Sequence, residues 1–413
     1  MDLSSYFNKK KELNEIIVSF CTRNESDGDD GSKSLIDFIE KGKIGENIEE
    51  LRIFLRIFSK VVSYHHRPRY FISKVKQIFS YLAENIKQSF SNLEIYNLFK
   101  GNKLLLKILL DLKIVTISNY IKDDLNYKCY NDKTKYYHFL YPELKDHLDE
   151  KNRKKIEKEL NEIDPDILPN FTQKLQEGEN DSNFCQLIRQ DSVMEFVAKF
   201  YQLNISPSFK ISHSIFETNQ FLIEGSLEPT IFQYAAFFGS TQILQFIMSQ
   251  CEPSQSLWTY AVHSNDKTLI IFLEGYIPIS NLDKALEVAL QCHHNEIAEI
   301  ILYRFDEIDE KKLIDYCFEY DNFVFLPKDF DRDKDFIFQK LCEFNSPTLV
   351  SNFLSTYDLS QESIKKGFDA AFNRNCSPKY DYTYDVVKIL SPKVGHFGES
   401  RIHVLLYFFL IGF

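Results

Sequence analysis

Glycine is scarce in this chain. Only 13 of its 413 residues are glycine, whereas 37 are phenylalanine and 23 are tyrosine. Folds rich in β-turns rely on glycine for their left-handed positions, so this balance predicts densely packed helices instead. Apolar residues make up 44% and charged residues 26% of the chain, which is the composition of a folded protein. The length allows two or three ordinary domains or one solenoid.

Paired cysteines are absent as well. The eight cysteines lie far apart, and the sequence contains no CxxC pair. A disulfide framework is therefore not expected at this length, and the reducing cytoplasm is the expected location. Cys185, Cys317 and Cys342 occupy positions where a small buried apolar side chain fits.

Long apolar runs are missing too. No stretch of about 18 apolar residues occurs, so we expect no transmembrane helix, and the N-terminus lacks the apolar core of a signal peptide. Residues 402–413 (IHVLLYFFLIGF) are almost wholly apolar, but they are too short to cross a bilayer. They leave two alternatives open, namely a weak peripheral association with membranes and a last repeat that is truncated.

Signatures of catalysis and of nucleic-acid binding are lacking. The sequence contains no G-x-S-x-G, P-loop, Rossmann or kinase motif, so we expect neither an enzyme nor a bound cofactor. An enzyme whose catalytic residues converge only in space stays an alternative. The formal net charge of −11 argues against a nucleic-acid partner, because such a partner requires a cationic surface.

Two pairs of adjacent histidines, His65-His66 and His293-His294, are the candidates for a metal site. Adjacent residues point to different sides of a helix, so neither pair forms a ligand set with the spacing of H-E-x-x-H. The sequence therefore predicts no metal site. It predicts instead that His293 occupies a turn between two helices.

One apolar pattern occurs three times between Pro229 and Tyr303. A small residue is followed after four residues by a turn position and after eight by an apolar residue: Ala235, Gly239 and Ile243; Ala261, Asn265 and Leu269; Ala289, His293 and Ile297. Steps of three and four residues place apolar side chains on one helix face. Each copy therefore predicts two short helices joined by a turn, a unit too small to be stable without a neighbour.

This pattern resembles the ankyrin repeat, whose consensus runs T-P-L-H-x-A-A-x-x-G-H and then V-x-x-L-L. The matching residues in the first copy are Thr230, Phe232, Ala235, Ala236, Gly239, Ile243, Phe246 and Ile247. The match is closest to the divergent ankyrin-like proteins expanded in some parasitic protists. Those proteins carry a long helical N-terminal half, and the HHRPRYF stretch at 65–71 resembles theirs as well. The resemblance implies an all-α solenoid of stacked helix-turn-helix repeats with little or no β-structure.

The same register extends beyond the three copies. Its small-residue positions fall at Cys185, Ala235, Ala261, Ala289, Cys317, Cys342 (or Leu341) and Ala371. We therefore predict a helical N-terminal region with degenerate hairpins at 1–178 and an ankyrin-like repeat domain at 179–413. The long interval before Ala235 makes Ser206–Leu227 an insertion or a lost repeat. Within the N-terminal region, helices at Leu93–Phe99 and Lys103–Leu109 are predicted, with Gly101 in a left-handed turn.

The function that the resemblance implies is protein–protein recognition without catalysis, through the concave surface of a solenoid. The exposed, variable positions of ankyrin-like repeats correspond to Phe237 and Phe238, His263 and Ser264, and Gln291. Two exposed aromatic side chains would form a contact hot spot for a protein partner, which the sequence does not identify. The alternative is that at least one ring folds back between units. Trp258, the single tryptophan, occupies a core leucine position of the repeat.

Overall fold

The computed structural model describes residues 3–23, 31–67, 70–131, 136–163, 167–224, 228–304, 308–327, 330–375 and 385–395. These residues form 25 α-helices and no β-strand, so the all-α prediction is confirmed. An isolated antiparallel bridge joins Lys210 and Thr230. None of the helices in the described ranges combines the length and apolar character that a membrane span requires. The apolar segment at 402–413 lies outside the described residues.

The chain divides into two compact units, one formed by residues 16–306 and the other by residues 1–15 with 307–413. The boundary near the N-terminus falls inside helix α1, Leu3–Thr22. The division predicted after residue 178 does not coincide with a boundary of these units. Residues 16–306 include both the N-terminal helices and the helix pairs that follow position 178.

The first part of unit 16–306 contains, after α1, ten helices. They are α2 (Ser32–Lys41), α3 (Ile48–Tyr64), α4 (Phe71–Ser89), α5 (Asn92–Phe99), α6 (Lys103–Asp111), α7 (Asn119–Asn131), α8 (Tyr136–Phe139), α9 (Tyr141–Leu144), α10 (Glu150–Ile163) and α11 (Ile167–Glu177). Helix α3 begins at an Asn47 cap, whose side chain accepts a hydrogen bond from the Glu50 amide at 3.0 Å. Its core is aromatic: Phe58 lies 5.7 Å from Phe20, 5.5 Å from Phe54 and 5.7 Å from Phe79, measured between ring centroids.

The second part of the same unit consists mainly of helix pairs. The helices are α12 (Asn183–Arg189), α13 (Val193–Gln202), α14 (Gln220–Glu224), α15 (Ile231–Phe238), α16 (Thr241–Met248), α17 (Leu257–His263), α18 (Lys267–Glu274), α19 (Leu282–Gln291) and α20 (Asn295–Leu302). The first helices of successive pairs, α12, α15, α17 and α19, pack against one another in chain order. Ala235, Ala261 and Ala289 are fully buried at these contacts, as the repeat pattern predicts. The connections at 249–256 and 275–281 are short and contain no strand.

A left-handed residue ends the first helix of each pair. The φ angles are 48° at Asp191, 68° at Gly239, 55° at Asn265 and 56° at His293. Behind the turn, the amides of Ser240 and His294 donate to the carbonyls of Ala235 and Ala289, both at 2.9 Å. Glycine enters this region without a Cβ clash, and asparagine, aspartate and histidine enter it more readily than most residues. The turn positions predicted four residues after Ala235, Ala261 and Ala289 are therefore confirmed.

The predicted register of the first pair is wrong by two residues. The left-handed residue is Asp191, and the Ser192 amide donates to the Leu187 carbonyl at 3.0 Å. Leu187, not Cys185, therefore occupies the place that Ala235 has in the next pair. Cys185 is buried one half-turn earlier in α12, which is why an apolar pattern alone selected it.

The predicted hairpin at 93–109 is confirmed in its helices and not in its turn geometry. Helix α5 ends at Phe99 and α6 begins at Lys103, with Gly101 between them. Gly101 is not among the residues with positive φ. The turn is instead closed by the Asn102 side chain, which accepts a hydrogen bond from the Leu105 amide at 3.0 Å.

The unit formed by residues 1–15 and 307–413 is built on the first half of α1 and five later helices. These are α21 (Glu310–Glu319), α22 (Lys334–Phe344), α23 (Pro347–Thr356), α24 (Gln361–Asn375) and α25 (Asp385–Val394). The Phe7 ring lies 6.2 Å from Phe318, 5.4 Å from Phe323 and 5.7 Å from Phe330. Phe323–Phe325 forms a 3₁₀ turn instead of a second α-helix, in agreement with Pro327 disfavouring a helix there.

Gly367 should be intolerant of even one added methyl group. A Cβ at this position of α24 would lie 2.5 Å from Phe338 Cε1 and 3.0 Å from Cys342 Sγ, and both side chains are fully buried in α22. We expect Gly367→Ala to lower the free energy of unfolding by about 1–3 kcal/mol in urea denaturation, through overpacking. Gly101→Ala is the control, because nothing lies within 4 Å of its Cβ position. Equal stability of the two variants would contradict the close approach of α22 and α24.

Candidate functional site

The five residues predicted to form an exposed strip belong to the unit formed by residues 16–306, and none of them is fully exposed. Phe237 is fully buried and His263 is 1% exposed. Phe238, Ser264 and Gln291 are half-buried. The prediction that all five project into solvent is therefore wrong for Phe237 and His263.

The cover over these residues comes from the chain itself. The His66 ring lies 4.7 Å from the Phe237 ring and 4.9 Å from the Phe238 ring, between centroids. On the other side, the Phe221 ring of α14 is parallel to Phe237 at 5.9 Å and lies 3.8 Å from His263. Segments from the predicted N-terminal region and from the predicted insertion thus occupy the face that the ankyrin resemblance assigns to a partner.

Five histidines meet at this contact, and we call them the histidine cluster: His65, His66, His263, His293 and His294. The rings of His65 and His294 lie 5.1 Å apart and perpendicular. His294 Nδ1 is 2.9 Å from the Val262 carbonyl oxygen, and His263 Nδ1 is 3.1 Å from Cys292 Sγ. All but His66 are at most 3% exposed. The sequence analysis missed this convergence because the two histidine pairs are more than 200 residues apart along the chain.

Burial favours the uncharged form of four members of the histidine cluster, His65, His66, His263 and His294. It lowers the pKa of His66 to about 3 and of His294 to about 4, the first helped by the nearby His294 and Arg67. It also lowers the pKa of His65 and His263 well below the usual value, and neighbouring histidines lower both further. The thiol of Cys292 has its pKa raised by burial in the same place. At neutral pH these side chains pack as neutral rings and a neutral thiol.

The two histidine pairs were the candidates for a metal site in the sequence, and their spacing predicted no such site. The fold does bring the two pairs together. Among the described residues, however, no three His, Cys, Asp or Glu side chains are placed to hold one metal ion.

Arg67 anchors the segment that carries His65 and His66. It is 8% exposed, and its guanidinium donates to five acceptors. Nε and Nη2 donate to the side chain and the carbonyl of Thr218, both at 3.0 Å. Nη1 donates to the carbonyls of Val62, at 2.9 Å, and His65, while Nη2 also reaches the Ser63 carbonyl at 3.4 Å. A planar fork of this kind satisfies several fixed acceptors at once, which a lysine does not.

Residues 217–219 complete the anchor, and all three are at most 4% exposed. The Thr218 amide and hydroxyl both donate to the Gly178 carbonyl, at 3.0 and 2.5 Å. The Asn219 side chain donates to the Tyr64 carbonyl at 3.0 Å, at the end of α3. Glu217 accepts the Asn219 amide at 2.8 Å. Residues 217–219, which belong to the predicted insertion, therefore connect Gly178 with the end of α3 within unit 16–306.

An acidic pair balances the charge of Arg67. Burial raises the pKa of Glu179 to about 7, with Arg189 and Arg67 lowering it and Glu217 raising it. Arg189 Nε is 2.8 Å from Glu179, and its Nη1 is 3.1 Å from the Tyr234 hydroxyl. This network links the 178–182 stretch to α12 and α15 by charge-assisted hydrogen bonds.

A second feature lies on the outer helices of the pairs, and we call it the outer groove. It is an open groove of about 410 Å³ lined by Lys267, Ile271, Glu296, Glu299, Ile300, Tyr303 and Arg304. Lys267 pairs with Glu296 at 2.7 Å where α18 and α20 begin, and Arg304 pairs with Glu274 where they end. The eight residues from Lys267 to Glu274, seven helical steps, make the groove about 10 Å long.

Two apolar side chains of the outer groove are exposed to solvent. Ile271 is 62% and Tyr303 is 91% exposed. Glu299 of α20, which lines the same groove, is exposed as well. The sequence carried a signal that we did not use: Ile271 lies off the buried face of α18 that Leu269, Ile270 and Leu273 define.

Trp258 is 3% exposed, so its predicted core position is confirmed. No protein-family model, no curated protein and no solved structure matches this chain.

Proposed function

We propose that this chain is a non-catalytic protein-recognition scaffold, an ankyrin-like α-solenoid that binds its partner through the outer groove. The observation that carries the proposal is the pair of solvent-exposed apolar side chains, Ile271 and Tyr303, held between two ion pairs. Exposed aromatic and aliphatic groups in a concave, rimmed site are typical of contact hot spots. The cytoplasm as location, and the absence of a nucleic-acid partner, stay predictions of the composition.

The solenoid part of the proposal rests on local geometry. Successive first helices pack in chain order, and each ends in a left-handed turn residue. The first helices α15, α17 and α19 bury Ala235, Ala261 and Ala289 completely. These are the properties of a repeat that is stabilised by its neighbours.

The chemistry of the outer groove supports one class of partner. Lys267 and Arg304 already have carboxylate partners across the groove. Glu299 is exposed beside the apolar floor. A short amphipathic segment with one or two apolar side chains and a lysine or arginine fits this arrangement, because it buries the apolar surface and pairs with Glu299.

A peptide-display selection tests the outer groove. Random peptides selected on the intact protein should be enriched in apolar residues with a nearby lysine or arginine. Their binding should weaken about thirtyfold or more in the double variant Ile271→Ser, Tyr303→Ser, because hot-spot truncation costs about 2 kcal/mol or more. Stability should stay within about 0.5 kcal/mol, since both side chains are exposed.

The matched control is the double variant Met194→Ser, Tyr201→Ser, which removes exposed apolar side chains of α13 in the same unit, 79% and 61% exposed. It should bind the selected peptides as the wild type does. Glu299→Gln should reduce binding at low salt more than at high salt. Equal binding by wild type and the groove variant would exclude this surface as the recognition site.

A further inference from the structure

The histidine cluster straddles one contact. His65 and His66 lie at the end of α3, next to Arg67. His263 ends α17, and His294 follows the turn after α19. Half of the ten histidines in the chain are thus brought to the two sides of a single buried contact.

A proton that binds to one histidine of this contact places a positive charge near other positive or easily protonated groups. Several titratable and charged groups face it. They are His65, His66 and Arg67 from the end of α3; Tyr260 and His263 from α17; Cys292, His293 and His294 after α19; and Cys21 of α1, Glu217 and Glu179 beside Arg67. The two carboxylates already hold amides or Arg189. A charge on one ring therefore destabilises the charged form of the next.

The direction of the pH effect follows from the lowered pKa values. A buried histidine with a pKa below its ordinary 6.5 binds fewer protons closed than open. Opening is therefore favoured progressively as the pH falls below about 6.5, by about tenfold per pH unit for each proton gained. Glu179 acts in the opposite direction, because its raised pKa lets the closed state take up a proton near pH 7. Four histidines with lowered pKa outweigh that one carboxyl.

We propose that residues 65–67 form a proton-operated latch on the face of α15, α17 and α19. At neutral pH the latch is closed and covers Phe237 and Phe238. Acidification places positive charges on both sides of the contact, and residues 65–67 then separate from α15, α17 and α19. Phe237 and Phe238 become exposed to solvent as an apolar surface. Four histidines, drawn from three segments of the chain, lie at this one contact. The transition is therefore cooperative, because opening the contact exposes the four rings to protons together.

Helices α4, α5 and α6 should stay closed when the latch opens. The sequence of α4, α5 and α6 contains no histidine. Their core is formed by apolar contacts such as Phe58 with Phe79 and Phe79 with Phe99, at 5.7 and 5.5 Å. Such contacts do not change with protonation. The latch is therefore distinct from acid denaturation of the whole unit.

Hydrogen exchange followed by mass spectrometry tests the latch on the full chain, from about pH 7.5 to about pH 5. After correction for the intrinsic pH dependence of exchange, protection should fall in 60–67 and in 231–239, with α4 at 71–89 unchanged. The proposal is overturned if both segments keep their protection relative to α4, or if α4 loses protection together with them.

Variants identify the protons. In the double variant His65→Gln, His66→Gln, the two titrating side chains are lost. The equilibrium constant for opening should therefore change by about a hundredfold less per pH unit than in the wild type. His213→Gln is the control, since His213 is exposed, and it should behave as the wild type. His294→Gln tests the opposite side of the contact independently, should the double variant fold poorly. An unchanged pH response in His294→Gln would overturn the role of the cluster.

Discussion

Replacing Arg67 by methionine should lower the free energy of unfolding by about 3–5 kcal/mol. The variant leaves the carbonyls of Val62, Ser63 and Thr218 without the donor that Arg67 supplies, while the His65 carbonyl keeps only the Asn219 side chain, at 3.2 Å. It also removes a positive charge that lies near Glu217 and Glu179. An unsatisfied buried acceptor costs about 1–3 kcal/mol, and methionine replaces only the apolar volume of the stem. Urea denaturation followed by circular dichroism measures the loss.

Two further substitutions separate the network from charge alone. Arg67→Lys keeps the charge but loses the planar fork, so it should recover only a minor part of the stability. Arg332→Met removes a surface ion pair with Glu310, in which the arginine side chain is 79% exposed, and should change stability by less than about 1 kcal/mol. If Arg67→Met were as stable as the wild type, the hydrogen bonds between Arg67 and Thr218 would make no net contribution to the free energy of unfolding.

Phe237→Ala should also be severe, at about 3–5 kcal/mol, because it deletes a fully buried ring and leaves a cavity. Phe238→Ala is the matched control. Its ring is half-buried beside the same His66, and its truncation should cost about 1–2 kcal/mol. The exposed strip predicted from the sequence would instead require both variants to be as stable as the wild type. The difference in urea midpoint between the two single variants decides between these descriptions.

The short-range part of the fold could be predicted from the sequence. The turn residues Gly239, Asn265 and His293 were identified because four-residue and eight-residue spacings are set within one helix pair. The burial of Ala261 and Ala289 follows from the same spacing. Helix α5 and helix α6 were located in the same way, whereas the left-handed geometry expected at Gly101 was wrong because the Asn102 cap closes that turn.

The candidate site could not be predicted, because its contacts are long-range. Arg67 meets Thr218 across 151 positions of the chain, and no local periodicity records that pairing. The ankyrin resemblance pointed away from it, since that resemblance assigns Phe237 and His263 to an exposed face. The usable signals were the Arg67 that follows the histidine pair, and a polar, largely non-helical stretch at 206–219, which needs buried partners if it is to be ordered.

Trp258 gives the protein an optical asymmetry. It is the single tryptophan of the chain and lies buried in α17, in the unit formed by residues 16–306. Its emission therefore reports solvent access to that unit alone, while far-ultraviolet circular dichroism reports the helices of both. Superimposable urea curves from the two signals indicate one cooperative transition, and separated curves indicate that the units melt independently.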